Sequence, residues 1–124
     1  MEIISFQSIN DTRGNLIVQD KLPFLVKRTF FMYGCKDNRG GHAHRKCRMI
    51  LFAVSGGCSV DIYEKNKNKQ TIKLDSCEYG LLLEPEDFHV MNDFSEDCIL
   101  MVLASEIYLD EDYIYAEEFF NEKI

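Results

Sequence analysis

"RMILFAVSGGCSVDIYE", Arg48 to Glu64, decides the fold class. "RMILFAVS" is a strand pattern with a nearly continuous apolar core. Gly56–Gly57 make a tight turn, and "CSVDIYE" then alternates polar and apolar residues, as a strand does. Similar runs flank this pair at short intervals. An early strand over Ile3–Phe6 leads into the turn cluster "NDTRGN", and a second strand lies near Leu16–Gln19. After Pro23, "FLVKRTFFMY" is rich in aromatic and branched residues, which favour strands. "GCKDNRGG" is a loop, and "HAHRK" starts the next strand. "KNKNK" (65–69) turns the chain back into "QTIKL". "YGLLLEP", "FHVMND" and "CILMVLAS" complete the set.

Short strands separated by turn signals predict a mainly β protein, a small two-sheet sandwich or jelly-roll barrel. The tail differs. In "LDEDYIYAEEFFNEKI", Asp110 is placed to cap a helix, and Tyr113, Phe119 and Phe120 form a partial helical stripe, so a short C-terminal helical or irregular segment is expected. At 124 residues, 1–124 read as a single domain with one core.

Composition narrows the function. No apolar run is long enough to cross a membrane as a helix, and the N-terminus has no basic region leading into an apolar one; a cytoplasmic protein that does not engage membranes is expected. Five cysteines, an odd number with no CxxC pair, fit free thiols in a reducing compartment. The net charge is −7, yet residues 27–48 carry seven basic side chains against the single acid Asp37, a local +6. The acidic whole argues against nucleic-acid binding. The basic window suits a small anion such as a phosphate or diphosphate, or is simply a solvated strand face.

Inside that window lies "RGGHAHRKC", Arg39 to Cys47, with two of the three histidines in the chain. On a strand, residues i and i+2 share a face roughly 6.6 Å apart, so His42 and His44 present two imidazoles side by side. His89 opens another strand and in a jelly roll returns to the same cavity. Three readings stand: a metal clamp, an acid/base pair, or polar residues on an ordinary strand. No Asp or Glu follows the pair until Asp61, and the adjacent Arg45, Lys46 and Arg48 would repel a divalent ion. Cys47, at an odd offset, is expected on the opposite strand face. The acid/base reading is favoured, because imidazole both takes and returns protons near neutral pH.

"RGGHAHRK", with the upstream "DTRGNL" and "PFLVKRTFFMYG" and the downstream "EPEDFHVMNDFSEDCILMVLASEIYLDEDYI", resembles the cupin-type sugar 3,4-ketoisomerases that act on dTDP-4-keto-6-deoxyglucose. The likeness covers nearly the whole chain in order. It implies a cupin jelly roll and a homodimer with exchanged N-terminal strands. It implies a dTDP-linked keto-deoxy sugar as substrate, with no cofactor and no metal. The keto group would move from carbon 4 to carbon 3, for a later aminotransferase and a surface polysaccharide. On this resemblance His42 is the expected base and His44 its partner or proton shuttle. Arg28 and Arg39 are expected on the diphosphate or the enediolate, with Arg13 a weaker candidate across a dimer interface. The substrate-binding set is completed by Tyr33, Phe88 and His89. Relatives carry tyrosines where this chain has Phe30 and Phe31, and often a tryptophan where it has Phe88, a residue still able to stack on a base or sugar face. Two other classes compete: a noncatalytic cupin that binds a sugar nucleotide, and a metal-dependent cupin enzyme.

Overall fold

In the computed structural model, which describes residues 1–65 and 68–121, two five-stranded antiparallel sheets face each other. The strands are β1 (Glu2–Ser5), β2 (Gln7–Asp11), β3 (Gly14–Val18), β4 (Arg28–Tyr33), β5 (Arg39–His44) and β6 (Met49–Ser55). They continue with β7 (Cys58–Tyr63), β8 (Lys69–Leu74), β9 (Tyr79–Leu83), β10 (Phe88–Asn92), β11 (Ile99–Ala104) and β12 (Tyr113–Tyr115). A 3-10 turn at Asp110–Asp112 precedes β12, and helix α1 (Ala116–Asn121) follows it. The first sheet has the order β1-β9-β6-β11-β4, the second β12-β5-β10-β7-β8, and β2-β3 form a separate hairpin. This is the expected jelly roll with a short C-terminal helix.

The apolar run of β6 has a simple cause: both of its faces are covered. Leu51 packs between the sheets with Val60, Ile62, Leu81, Leu100 and Val102. Ile50 and Phe52 face outward with Leu82 and Leu103, under a cover of Ile4, Phe6, Leu22, Phe24 and Val26. Strand β7 has only one covered face, so it alternates between buried and half-buried residues.

Four expectations shift. Phe24–Lys27 are not strand. After Pro23 this stretch crosses the outer face of the first sheet, held there by Phe24 and Val26, and β4 begins at Arg28. Gln7–Asp11 are strand, so the "NDTRGN" turn closes a hairpin rather than following a loop. Asp110 caps no helix: the residue before the 3-10 turn is Leu109, and Asp110 accepts a hydrogen bond from the Tyr108 hydroxyl instead. Tyr113 belongs to β12, which pairs with β5, because β5 would otherwise be a bare edge beside the barrel mouth. Of the "KNKNK" turn, residues 66 and 67 lie outside the described residues.

Strand β5 carries the feature that places the site. Opposite β10, His89 pairs with His42 but Val90 pairs with Gly40, so Gly41 is the extra residue of a bulge. Gly40 and Gly41 have φ of 89° and 85°, which L side chains rarely adopt. A Cβ on Gly40 would also meet the His89 carbonyl oxygen at 2.9 Å. The two glycines let β5 lie tight against β10 and set His42 directly across from His89.

Candidate active site

The three histidines converge on the inner face of the second sheet. The ring centroids of His42 and His44 are 5.0 Å apart, those of His42 and His89 4.9 Å, and those of His44 and His89 6.0 Å. Tyr113 stands over the pair, its ring 4.6 Å from both His42 and His44. A cavity of about 170 Å³ opens beside them. Its polar lining comes from Arg39, His42, His89 and Tyr113, its apolar lining from Phe30, Met32, Met91 and Val102 among others.

Two of the three rings are oriented by a partner behind them. His44 Nδ1 lies 2.9 Å from Asp112 Oδ2, and His89 Nδ1 lies 3.1 Å from the Asp87 carbonyl oxygen. Among the described residues, three buried side-chain atoms have no hydrogen-bond partner: His42 Nδ1, His44 Nε2 and Arg28 Nε. All three belong to this cluster. Unpaired buried polar atoms are costly, and where they gather a ligand is the usual explanation.

The electrostatics keep the imidazoles neutral at pH 7. Burial lowers His42 to about 4, helped by the nearby His44 and Arg28. Burial lowers His89 to about 3, with His42 adding to it. Burial also lowers His44, against the hydrogen bond and charge of Asp112, with Arg28 again lowering it. For Asp112, burial works against ionisation, but the Lys46 N–H and the His44 ring hold its carboxyl below the ordinary range. Neutral imidazoles are proton acceptors, and they are also metal ligands. One ring nitrogen from each of His42, His44 and His89 lies within 4.8 Å of the others, as do donor atoms of His44, Cys47 and Asp112. Both groups include His44, whose protonation the Arg28 guanidinium disfavours. That positive charge also disfavours a divalent ion.

The family model described as "FdtA: WxcM-like, C-terminal" matches residues 1–124. A TDP-4-oxo-6-deoxy-alpha-D-glucose-3,4-oxoisomerase of Aneurinibacillus thermoaerophilus is 38% identical over 128 residues, covering 99% of this chain and 91% of that protein. Among solved structures, the sugar 3,4-ketoisomerase QdtA of Thermoanaerobacterium thermosaccharolyticum, in complex with TDP, superposes with a TM-score of 0.90 at 32% identity, over 96% of this chain and 90% of that one. WlaRA, a TDP-fucose-3,4-ketoisomerase of Campylobacter jejuni, gives 0.87 at 35% identity, over 96% and 91%. The chain belongs to the sugar 3,4-ketoisomerase family.

In this ketoisomerase the residues singled out from sequence divide into two groups. His42, His89 and Arg39 line the cavity, His44 lies buried beside His42, and Arg28 stands close enough to depress both His42 and His44. The Arg28 guanidinium packs over Phe30 at 5.3 Å and Tyr108 at 5.9 Å, and donates to Cys47 Sγ at 3.9 Å. Tyr33 and Phe88 lie elsewhere. Alternation along β4 sends Arg28, Phe30 and Met32 inward and Phe31 and Tyr33 out, and Tyr33 is 71% exposed beside Glu96 and Ile99. Phe88 faces away from the cavity, packed against Ala43 and Phe119 under α1, so it is not placed to stack on a ligand there. Arg13 is held by Asp11 in the β2-β3 hairpin, at 2.7 Å.

Three other basic side chains of the window are paired elsewhere, Lys27 with Glu106, Arg45 with Glu118 and Arg48 with Glu84, while Arg39 lines the cavity and Arg28 lies close to His42 and His44. Cys47 is not on the far strand face, because β5 ends at His44 and the chain turns; its thiol lies beside His44 and Asp112. The tail hid two residues that contact the histidine cluster. Asp112 and Tyr113 reach the histidines through the pairing of β12 with β5, at a sequence separation that no local pattern reveals. The "EDYI" motif was the one available signal.

Proposed function

We propose that the protein moves the keto group of a dTDP-linked 4-keto-6-deoxyhexose from carbon 4 to carbon 3, by proton transfer at His42 and His44. The observation that carries this is the gathering of three neutral imidazoles with two orphan ring nitrogens, two of the rings and Arg39 lining one cavity and His44 packed directly behind them. A base removes the carbon 3 proton beside the ketone while oxygen 4 gains a proton, giving an enediol or its enediolate. Oxygen 3 then loses its proton and carbon 4 gains one. The product is an isomer of the substrate, so no oxidant or cofactor is consumed.

We place His44, rather than His42, as the base, because its Nε2 is unpaired while its Nδ1 is committed to Asp112. His42, with an open Nδ1 and its ring at right angles to His44, serves as the proton shuttle between the oxygens. Arg28 stabilises negative charge on the enediolate, and Arg39 at the rim meets the diphosphate. The second reading, a noncatalytic sugar-nucleotide binder, has no comparable use for neutral, unpaired imidazoles.

The same proposal extends to assembly and place. The β2-β3 hairpin belongs to neither sheet and leaves Ile9 and Leu16 exposed, which supports a homodimer with exchanged N-terminal strands. Among the described residues no helix is long and apolar enough to cross a membrane. That fits a cytoplasmic enzyme of nucleotide-sugar and polysaccharide biosynthesis.

The test is NMR of the product formed from dTDP-4-keto-6-deoxyglucose in deuterated water, with an aminotransferase to trap the labile ketone. A 3-keto product with ring deuterium is expected, and His42→Ala should lose turnover roughly a hundredfold or more while retaining dTDP binding. No product and no exchange from any dTDP-keto-sugar would refute the reading.

A further inference from the structure

We propose that Asp112 is the positioning residue of the reaction: its carboxylate holds His44 in the tautomer that leaves the Nε2 lone pair free to take the proton. This rests on the reading of His44 as the base. The carboxylate is itself fixed on both oxygens. Oδ2 lies 2.9 Å from His44 Nδ1, and Oδ1 accepts the Lys46 backbone N–H at 2.7 Å. Its backbone is tied down as well, since the Arg45 N–H donates to the Asp112 carbonyl at 2.8 Å and the Asp112 N–H donates to the Leu109 carbonyl at 3.0 Å. With only 8% of the residue exposed, water has little access to loosen these bonds.

The tautomer follows from donor and acceptor capacity. An ionised carboxylate only accepts, so His44 Nδ1 must carry the hydrogen, and Nε2 is left with a lone pair. Nε2 is the atom of that ring found buried without a partner. A buried acid behind an imidazole does two further things: it fixes the ring's orientation and stabilises the imidazolium that forms when the base takes its proton. The charged and titratable groups around His44 are Arg28 from β4, His42 from its own strand, His89 from β10, Tyr113 from β12, and Cys47. Arg28 disfavours the imidazolium, and Asp112 is the group that favours it. The C-terminal segment, which looks from sequence like a peripheral helix, thereby becomes part of the catalytic apparatus.

The experiment compares wild type with Asp112→Asn and Asp112→Glu. In the Asn variant the amide oxygen can keep the Lys46 N–H, and the amide NH₂ then donates to His44 Nδ1, driving the ring hydrogen to Nε2. Nitrogen-15 imidazole spectra of the wild type should show His44 protonated at Nδ1 and bare at Nε2, and the Asn variant should show the reverse. kcat should fall at least about a hundredfold in the Asn variant, a loss of the kind expected from a wrong tautomer, with KM within about twofold. The acid limb of its residual activity should move to lower pH, because the charge favouring the imidazolium is gone. Asp112→Glu should recover part of kcat. A purely structural role would move none of the tautomer, the acid limb or the kcat-to-KM split in this way. A wild-type His44 bare at Nδ1 overturns the inference whether or not the variants fold, and so does an Asn variant with wild-type kcat. A wild type inactive on every dTDP-keto-sugar would overturn the functional reading, and the tautomer swap would still decide the role of Asp112.

Discussion

Phe88 and His89 are neighbours on β10, both almost completely buried, at 3% and 1% exposure, and they face opposite ways. Phe88 meets Ala43 and Phe119 on the outside of the second sheet. His89 meets His42 and His44 on the inside. Equal burial has opposite energetic meaning on the two faces. Removing the phenyl ring from water stabilises the fold by about 1.5–3 kcal/mol. Burying the imidazole holds it neutral and opposes the charge it would otherwise take up in acid. The outer face holds the sheet and helix together, while the inner face keeps a set of polar atoms only partly satisfied. The molecule therefore spends its stability on one side of a strand to maintain reactivity on the other.

The largest effect that separates the faces is expected from Phe88→Ala. Its ring is ringed by Tyr63, Phe119 and Phe120, with centroids 5.0 to 5.9 Å away, so truncation leaves a cavity and should cost about 3–5 kcal/mol in urea unfolding. Turnover per folded molecule should survive, because Phe88 contributes nothing to the cavity. A collapse of kcat in protein that remains folded would show that the two faces are not separable.

A smaller and graded effect comes from pH. His89 and His42 ionise in the fold only near 3 and 4, against about 6.5 in an unfolded chain. Between those values the unfolded chain binds more protons than the native one, so stability rises with pH. The contribution is fully present above about pH 6.5 and is lost progressively as pH falls toward the folded values. Urea midpoints measured from pH 7.5 to 4.5 should fall, and His89→Asn should flatten that fall. A wild-type midpoint independent of pH over this range would mean that the inner face is not held neutral by burial.

The contrast between the faces also explains what could be read from the sequence. The outer and inner packing of β6 follows from composition, because "MILFAVS" is apolar at nearly every position and only a doubly covered strand needs that. The sharing of a face by His42 and His44 follows from the two-residue period. The return of His89 to the same cavity follows from the jelly-roll expectation, but the Gly41 bulge that sets it directly across from His42 was not legible, because a register shift depends on the pairing of two distant strands. The direction of Phe88 was legible in principle, since it is one residue from His89 and must face the other way. Asp112 and Tyr113 were not legible. They reach the site by β12 pairing with β5, a contact about 70 residues apart in a segment whose acids and aromatics mimic a helix start.

The smallest expected effect tests the edge of the site. Tyr33 was a candidate substrate-binding residue, yet it lies at the outward-facing end of β4, its ring beside Phe31 at a centroid distance of 5.9 Å. Its backbone pairs with Ile99 in the first sheet, while the histidines sit on the second. Tyr33→Phe removes only a hydroxyl from an exposed ring, so stability should change by no more than about 0.5 kcal/mol and kcat/KM by no more than about twofold. Phe30, two positions inside the cavity from Met32, offers the internal control: Phe30→Tyr places a hydroxyl where the lining is apolar and Arg28 packs on the ring. If the catalytic face is confined to the inward residues, the Phe30 change alters kcat/KM and the Tyr33 change does not. A tenfold loss from Tyr33→Phe would instead require that the outward face of β4 meets substrate, which in a monomer it cannot reach and in a strand-exchanged dimer it could reach only on the neighbouring subunit.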